Sequence, residues 1–64
     1  MDEKLKALVS EIKVVVEAAE FDLGKFLEKG NKSAAGRVRK QMQALKKLAQ
    51  EIRVEVMSKV KEEK

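Results

Sequence analysis

The sequence contains no cysteine, histidine, proline, tryptophan or tyrosine. Without cysteine there is no disulfide and no thiolate metal site, and without histidine the commonest metal ligand and proton shuttle is missing. The usual nucleophiles and general bases are therefore scarce. The composition indicates no enzyme, no metal, no cofactor and no small-molecule substrate.

Aromatic residues and long apolar runs are also rare. The aromatic residues are Phe21 and Phe26, and no apolar run exceeds three residues, as at Val14–Val16. Such a run is far too short to span a membrane. No signal peptide is visible, because the acids Asp2 and Glu3 stand where a basic segment followed by an apolar one would be needed. We expect a soluble, cytoplasmic protein without a membrane partner.

What the sequence does have is the composition of long helices, with 44% hydrophobic and 41% charged residues. Its 64 residues make one domain at most. A core of this size rarely supplies more than about 3–5 kcal/mol. Self-association is therefore the expected aid to stability.

Apolar residues recur at three- and four-residue steps in two segments, which predicts two amphipathic helices. The first stripe is Leu5, Leu8, Val9, Ile12, Val15, Val16, Ala19, Leu23, Phe26 and Leu27. The second stripe is Ala34, Val38, Met42, Leu45, Ala49, Ile52, Val56 and Val60.

Gly30 suits a helix stop, and Asn31 or Ser33 suits the cap of the next helix. We expect one all-α domain over residues 1–64, with helix 1 over about 3–29, a turn at 30–31 and helix 2 over about 32–62. So short a turn makes the helices an antiparallel hairpin.

A two-helix hairpin encloses its stripes poorly, so we expect a homodimer that forms a four-helix bundle. Val14, Ala18 and Phe21 point away from the main stripe of helix 1. They are either tolerated surface residues or a second contact surface for higher assembly, and we favour the second interpretation. Gly36 also has two interpretations, a flexible capping region or a close approach of a phosphate or helix to the backbone.

The net charge of +4 conceals a strong asymmetry. Residues 1–28 hold seven acids and four bases, residues 29–50 hold seven bases and no acid, and residues 51–64 hold four of each. Solvated helices usually place opposite charges three or four residues apart. The middle block lacks that arrangement, so it concentrates positive charge at some cost in stability.

Four of the bases, Lys32, Arg39, Lys46 and Arg53, are spaced seven residues apart and form one ladder along helix 2. The ladder is about 32 Å long at 1.5 Å per residue, close to the ~34–36 Å turn of duplex DNA. Charge alone leaves two interpretations open, a phosphate-binding face or a face that pairs with acids of another copy. The candidate acids are Glu11, Glu17, Glu20 and Asp22.

A resemblance favours DNA. The segment Glu28–Lys40 has the sequence EKGNKSAAGRVRK and continues as QMQALKKLAQEIRVEV. Over about residues 20–57 this resembles the helical N-terminal part of bacterial linker-histone-like proteins of the chlamydial type. The fairly specific part is Lys29–Arg39, whereas the first twenty residues match only in being amphipathic. The resemblance implies a nucleoid-associated protein that binds and compacts DNA with little sequence preference. It maps DNA contacts onto Lys29, Lys32, Arg37, Arg39, Lys40 and Arg53.

The family's proteins have long Lys/Ala-rich tails, whereas residues 61–64 here read KEEK. We expect DNA affinity to come from the folded face, multiplied by oligomerisation. Aromatic side chains do not alternate with the bases, so the residues favour contact with the phosphate backbone of a duplex over base stacking. The candidate DNA-binding residues are Lys29, Lys32, Arg37, Arg39, Lys40, Lys46, Lys47 and Arg53.

The main hypothesis is a nucleoid-associated, histone-like architectural protein that binds DNA without sequence specificity. The alternative is a helical oligomerisation or scaffold module that binds no nucleic acid. A membrane-surface helix ranks third, because the stripes lack tryptophan and suit helix packing.

Overall fold

The computed structural model describes residues 2–62, which form two long helices. Helix α1 is Glu3–Lys29 and helix α2 is Lys32–Glu62, joined by Gly30 and Asn31. They pack along each other as a hairpin with principal dimensions of 53 × 17 × 11 Å. This confirms the all-α hairpin. Residues 1, 63 and 64 of the expected domain lie outside the described residues.

The helix ends are set by local capping interactions. Asp2 has an extended backbone, and its Oδ1 accepts hydrogen bonds from the Lys4 and Leu5 amides at 2.8 and 3.3 Å. Gly30 ends α1 in the left-handed conformation, with φ 65°, and its amide donates to the Phe26 carbonyl at 2.8 Å. Only glycine takes this conformation without steric cost.

Asn31 caps α2, as expected from its side chain. Its Oδ1 accepts a hydrogen bond from the Ala34 amide at 3.1 Å, the usual geometry of an N-cap. Two residues therefore suffice for the reversal, since Gly30 stops one helix and Asn31 starts the next.

The helices meet along a seam of buried and half-buried residues that recur in steps of three and four. In α1 the seam is Leu5, Leu8, Ile12, Val15, Ala19 and Asp22. In α2 it is Ala34, Val38, Gln41, Leu45, Leu48, Ile52 and Glu55. This spacing gives antiparallel, coiled-coil-like packing over the length of the hairpin.

The seam corrects the expected stripe of helix 2. Met42, Val56 and Val60 are 44%, 43% and 53% exposed, and Ala49 is also exposed, although all four belong to the apolar stripe predicted from the sequence. Leu48, which was not in the expected stripe, is buried. Compared with the predicted stripe, α2 is rotated about its own axis, so that the polar residues Gln41 and Glu55 face α1. A pattern of apolar residues does not select such positions.

The stripe of helix 1 is likewise narrower than expected. Val9, Val16, Leu23, Phe26 and Leu27 are exposed, whereas Asp22, which the pattern omitted, is buried. The burial of Asp22 is again explained by polar contacts. Its carboxylate accepts hydrogen bonds from Arg37 and Gln41 on α2, which compensate the cost of burying it.

The hydrophobic core of the hairpin is small. Its buried hydrophobic residues are Leu8, Ala19, Ala34 and Leu48, and none of the large side chains among the described residues is fully buried. Ion pairs at the open end add support, from Lys59 to Asp2 at 3.0 Å and from Lys4 to Glu55 at 3.4 Å. Exposed pairs of this kind contribute about 0–1 kcal/mol each. No helix within residues 2–62 is long and apolar enough to cross a membrane.

Candidate nucleic-acid interface

The basic residues expected to bind DNA all lie on the outside of the hairpin. Lys29 is the last residue of α1, and the other seven are distributed over the first 22 residues of α2. All eight residues are exposed. They are Lys29, Lys32, Arg37, Arg39, Lys40, Lys46, Lys47 and Arg53.

The structure arranges the ladder along one outward edge of α2. Arg39, Lys46 and Arg53 each follow directly after a seam residue, so they point obliquely away from α1. Because α2 is continuous from Lys32 to Glu62, the seven-residue spacing places successive charges about 10 Å apart along its axis. Lys40 and Lys47 each directly follow a ladder residue and so lie further round the outside of α2. Six cations therefore face solvent along an edge about 32 Å long.

Arg37 differs from the other seven because it has a partner in the hairpin. Its Nε donates to Asp22 Oδ1 at 3.1 Å, and its terminal nitrogen lies 3.1 Å from the same oxygen. The amide of Gln41 donates to Asp22 Oδ2 at 2.9 Å. These two hydrogen bonds, first that of Gln41 and then that of Arg37, lower the pKa of the Asp22 carboxyl despite its burial.

This Asp22–Arg37–Gln41 cluster was missed by sequence reasoning. The available signal was that Arg37 has no acid three or four residues away, although its true counter-ion lies fifteen residues earlier on the other helix. The cluster also occupies Asp22, one of the acids that the sequence offered as partners for the basic face of another copy. Within the described residues, none of the other seven candidates has an ion pair or a side-chain hydrogen bond.

Gly36 lies on the outside of α2, close to the basic block. A β-carbon placed there would meet nothing within 4 Å, so no neighbouring helix approaches the backbone at this point. Of the two approaches to the Gly36 backbone expected from the sequence, by a phosphate or by a helix, that of a helix is therefore excluded within the hairpin. An outside phosphate still has access.

Among the described residues, the main surface concavities are open grooves along single helices, such as the one bounded by Lys46, Ala49 and Arg53. Within residues 2–62, no three acidic side chains converge in a way that could hold a metal ion. The distinctive feature of the molecule is thus the row of uncompensated cations on α2.

Comparison with known proteins agrees with the charge pattern. The model of one protein family, described as histone H1-like protein Hc1, matches residues 6–62. The match includes α1 from residue 6 onward, the turn, all of α2 and all eight candidate residues. Comparisons with curated proteins and with solved structures each give no match.

Proposed function

Because the chain belongs to the histone H1-like Hc1 family, we propose that it is a nucleoid-associated protein that binds duplex DNA through the outer edge of α2. The observation that supports this most directly is the row of exposed cations without counter-ions from Lys32 to Arg53. DNA carries a dense row of phosphates, and neutralising them releases condensed counterions. Packaging DNA in this way requires no catalytic group.

The contacts proposed here are with the phosphate backbone. The ladder cations and their neighbours Lys40 and Lys47 are long side chains on a rigid helix, suited to a repeating line of charge. Such contacts position a protein on DNA but do not specify sequence. Little preference among DNA sequences is therefore expected.

Self-association belongs to the proposal, as a homodimer or a higher homo-oligomer. The small core supports it, because two of the four buried hydrophobic residues are alanines. Each additional copy would also add another row of cations and so raise the affinity for one DNA molecule.

The test is a salt titration of binding to a labelled duplex, measured by fluorescence anisotropy. Six phosphate contacts per chain give a slope of log K against log [salt] of about −5, which is a loss of about 10³-fold between 50 and 200 mM. Replacing Arg39, Lys40, Lys46 and Lys47 with glutamine should reduce the slope to about −2 for every DNA sequence.

A matched control removes the same charge from the other helix. Replacing Lys4, Lys6, Lys13 and Lys25 with glutamine also takes the net charge from +4 to 0. This control should keep a slope close to that of the wild type. Equal losses in both variants would show that overall charge, not the α2 edge, attracts DNA. The absence of any binding at low salt would instead support a scaffold module.

A further inference from the structure

Phe21 is an exposed aromatic side chain on α1. It is 65% exposed, whereas Phe26, the other phenylalanine of the sequence, is 39% exposed and continues the seam spacing four residues after Asp22. A phenylalanine that points into solvent gives up the stabilisation that burial of its ring would bring. The packing of α1 against α2 therefore does not explain why an aromatic residue stands at position 21.

The fold brings Phe21 to the same side of the hairpin as part of the basic block. Phe21 directly precedes the seam residue Asp22, and Lys40 directly precedes the seam residue Gln41. Because the helices are antiparallel and face each other, the residues that directly precede the seam lie on one side of the hairpin. The 2.9 Å hydrogen bond from Gln41 to Asp22 places both positions at the same level. Phe21 is thus level with Lys40, although the two residues belong to different helices.

Two more cations, Lys25 and Arg37, share this side of the hairpin. The Lys25 ammonium lies 4.6 Å from the centre of the Phe21 ring. Arg37 is bonded to Asp22 through Nε and one terminal nitrogen, and its remaining N–H groups can serve a further acceptor. The four residues Phe21, Lys25, Arg37 and Lys40 are here called the Phe21 flank. It combines one aromatic ring with three cations, a combination that the order of the residues along the chain does not show.

An aromatic ring among cations suits single-stranded nucleic acid. Cations hold the phosphates of such a strand, and an unpaired base stacks on the ring whatever its sequence. In an intact duplex, by contrast, neighbouring base pairs cover the faces of the bases. The Phe21 ring stands on the side of a helix among longer lysine and arginine side chains, so it does not reach into a duplex whose phosphates those side chains hold.

We propose that the Phe21 flank binds single-stranded nucleic acid, with an unpaired base stacked on Phe21 and the adjoining phosphates held by Lys25 and Lys40. This goes beyond the proposed function, which places the phosphates of a duplex along the ladder on α2. Arg39 and Lys46 of the ladder directly follow seam residues and so lie on the opposite side of the hairpin. The two contacts therefore use different surfaces of the same molecule.

Charge complementarity favours a nucleic-acid strand over a second copy of the chain. A strand carries one phosphate for each base, so it supplies an acceptor to the cations while its base covers the ring. A second copy would instead present the same cations. Glu17, one turn before Phe21, lies on the outer side of α1. The acids on the side of the Phe21 flank, Glu11 and Glu51, lie about 15 Å further along their helices from Phe21 and Lys40 respectively.

Fluorescence tests the stacking directly. The chain contains no tryptophan or tyrosine, so Phe21→Trp introduces a single fluorophore at the proposed site. Oligothymidylate at low salt should quench this fluorophore, because a stacked base contacts its ring. Inorganic polyphosphate carries the charge without the bases and should bind without quenching. In the control Phe26→Trp the fluorophore is on the seam side of α1, and neither polyanion should quench it.

Oligouridylate identifies the kind of strand. Quenching of Phe21→Trp by oligouridylate as well as oligothymidylate would support a site for RNA and DNA, and quenching by one alone would support that strand. Quenching by neither strand, or equal quenching by polyphosphate, would overturn the inference.

Affinity for a labelled oligothymidylate gives a second test, by fluorescence anisotropy. Phe21→Ala should weaken binding by about 5- to 100-fold. The slope of log K against log [salt] should stay the same, because no charge is removed. Alanine favours a helix, so the variant should fold. The matched control is Val14→Ala, since Val14 is 64% exposed and also directly precedes a seam residue. It should bind like the wild type, and an equal loss in both variants would overturn the inference.

Other occupants of the Phe21 flank would give different results. A blue shift of Phe21→Trp emission as the free protein is concentrated, without a response to either strand, would overturn the inference in favour of a second copy. The same shift on phosphatidylserine vesicles alone would overturn it in favour of a lipid surface. Neither result would affect the salt titration of duplex binding, because that titration tests cations on α2 and not Phe21.

Discussion

Replacing Gly36 with alanine should stabilise the protein, and the size of the effect follows from its surroundings. Gly36 is the fifth residue of α2, past the first turn, and an added methyl group would meet nothing within 4 Å. Alanine is favoured over glycine in a helix interior by about 1 kcal/mol, largely because glycine gives the unfolded chain more freedom. In a domain of this size the gain should raise Tm by about 4–8 °C.

The assay is thermal unfolding followed by circular dichroism, at one fixed protein concentration because self-association makes Tm concentration-dependent. Gly24→Ala is the matched control, since Gly24 is also helical with nothing within 4 Å, and it should give a similar gain. Gly30→Ala should have the opposite sign, because Gly30 has φ 65°. A left-handed alanine costs about 1–2 kcal/mol.

The same variants test the remaining functional interpretation of Gly36. If a phosphate approaches the backbone there, Gly36→Ala should weaken DNA binding while it stabilises the fold, and Gly24→Ala should leave DNA binding unchanged. If Gly36 is only tolerated, both variants should bind DNA as the wild type does. A lower Tm for Gly36→Ala would refute the reasoning, because it would mean that something covers the residue in solution.

Two further predictions concern the turn and the acid limit of stability. Asn31→Ala removes the hydrogen bond to the Ala34 amide and should reduce the free energy of unfolding, measured by urea denaturation, by about 1 kcal/mol. The control Ser33→Ala removes no cap and should have little effect. The folded-state pKa values of Asp22 and Asp2 are lowered, mainly by the Gln41 and Lys59 side-chain hydrogen bonds respectively. A lowered folded pKa means that this stability is complete above the unfolded carboxyl pKa of about 4 and is lost as the pH falls towards the folded values. Asp22→Asn should flatten that acid decline, and an unchanged decline would show that Asp22 contributes nothing to it.

The helices and their ends could be predicted because their causes are local in the sequence. Gly30 and Asn31 act within one turn of where they stand, and a helix stop followed at the next residue by a helix cap predicts a hairpin. The basic ladder could be predicted for a similar reason, because its members need only a continuous helix to align. Neither inference depends on knowing how the helices pack.

The rotation of α2 could not be predicted because its cause lies on the other helix. Hydrophobicity favours Met42 and Val56 over Gln41 and Glu55 as inward residues. Gln41 and Glu55 nevertheless face inward, because the Gln41 amide donates a hydrogen bond to Asp22 and Glu55 forms an ion pair with Lys4. Met42 and Val56 are displaced by one position onto the flank of the hairpin, where they are 44% and 43% exposed.

Arg37 differs in its expected role from the other candidate DNA-binding residues. A phosphate that drew Arg37 away would leave the buried Asp22 carboxylate with only the Gln41 amide, and an uncompensated buried charge is costly. The other cations have no such bond to break. DNA contact is therefore expected from the Lys32–Arg53 ladder first, while Arg37 stays paired with Asp22 across the hairpin. Arg37→Gln should accordingly lower Tm more than Arg39→Gln does, whereas Arg39→Gln should have the larger effect on the salt slope of DNA binding.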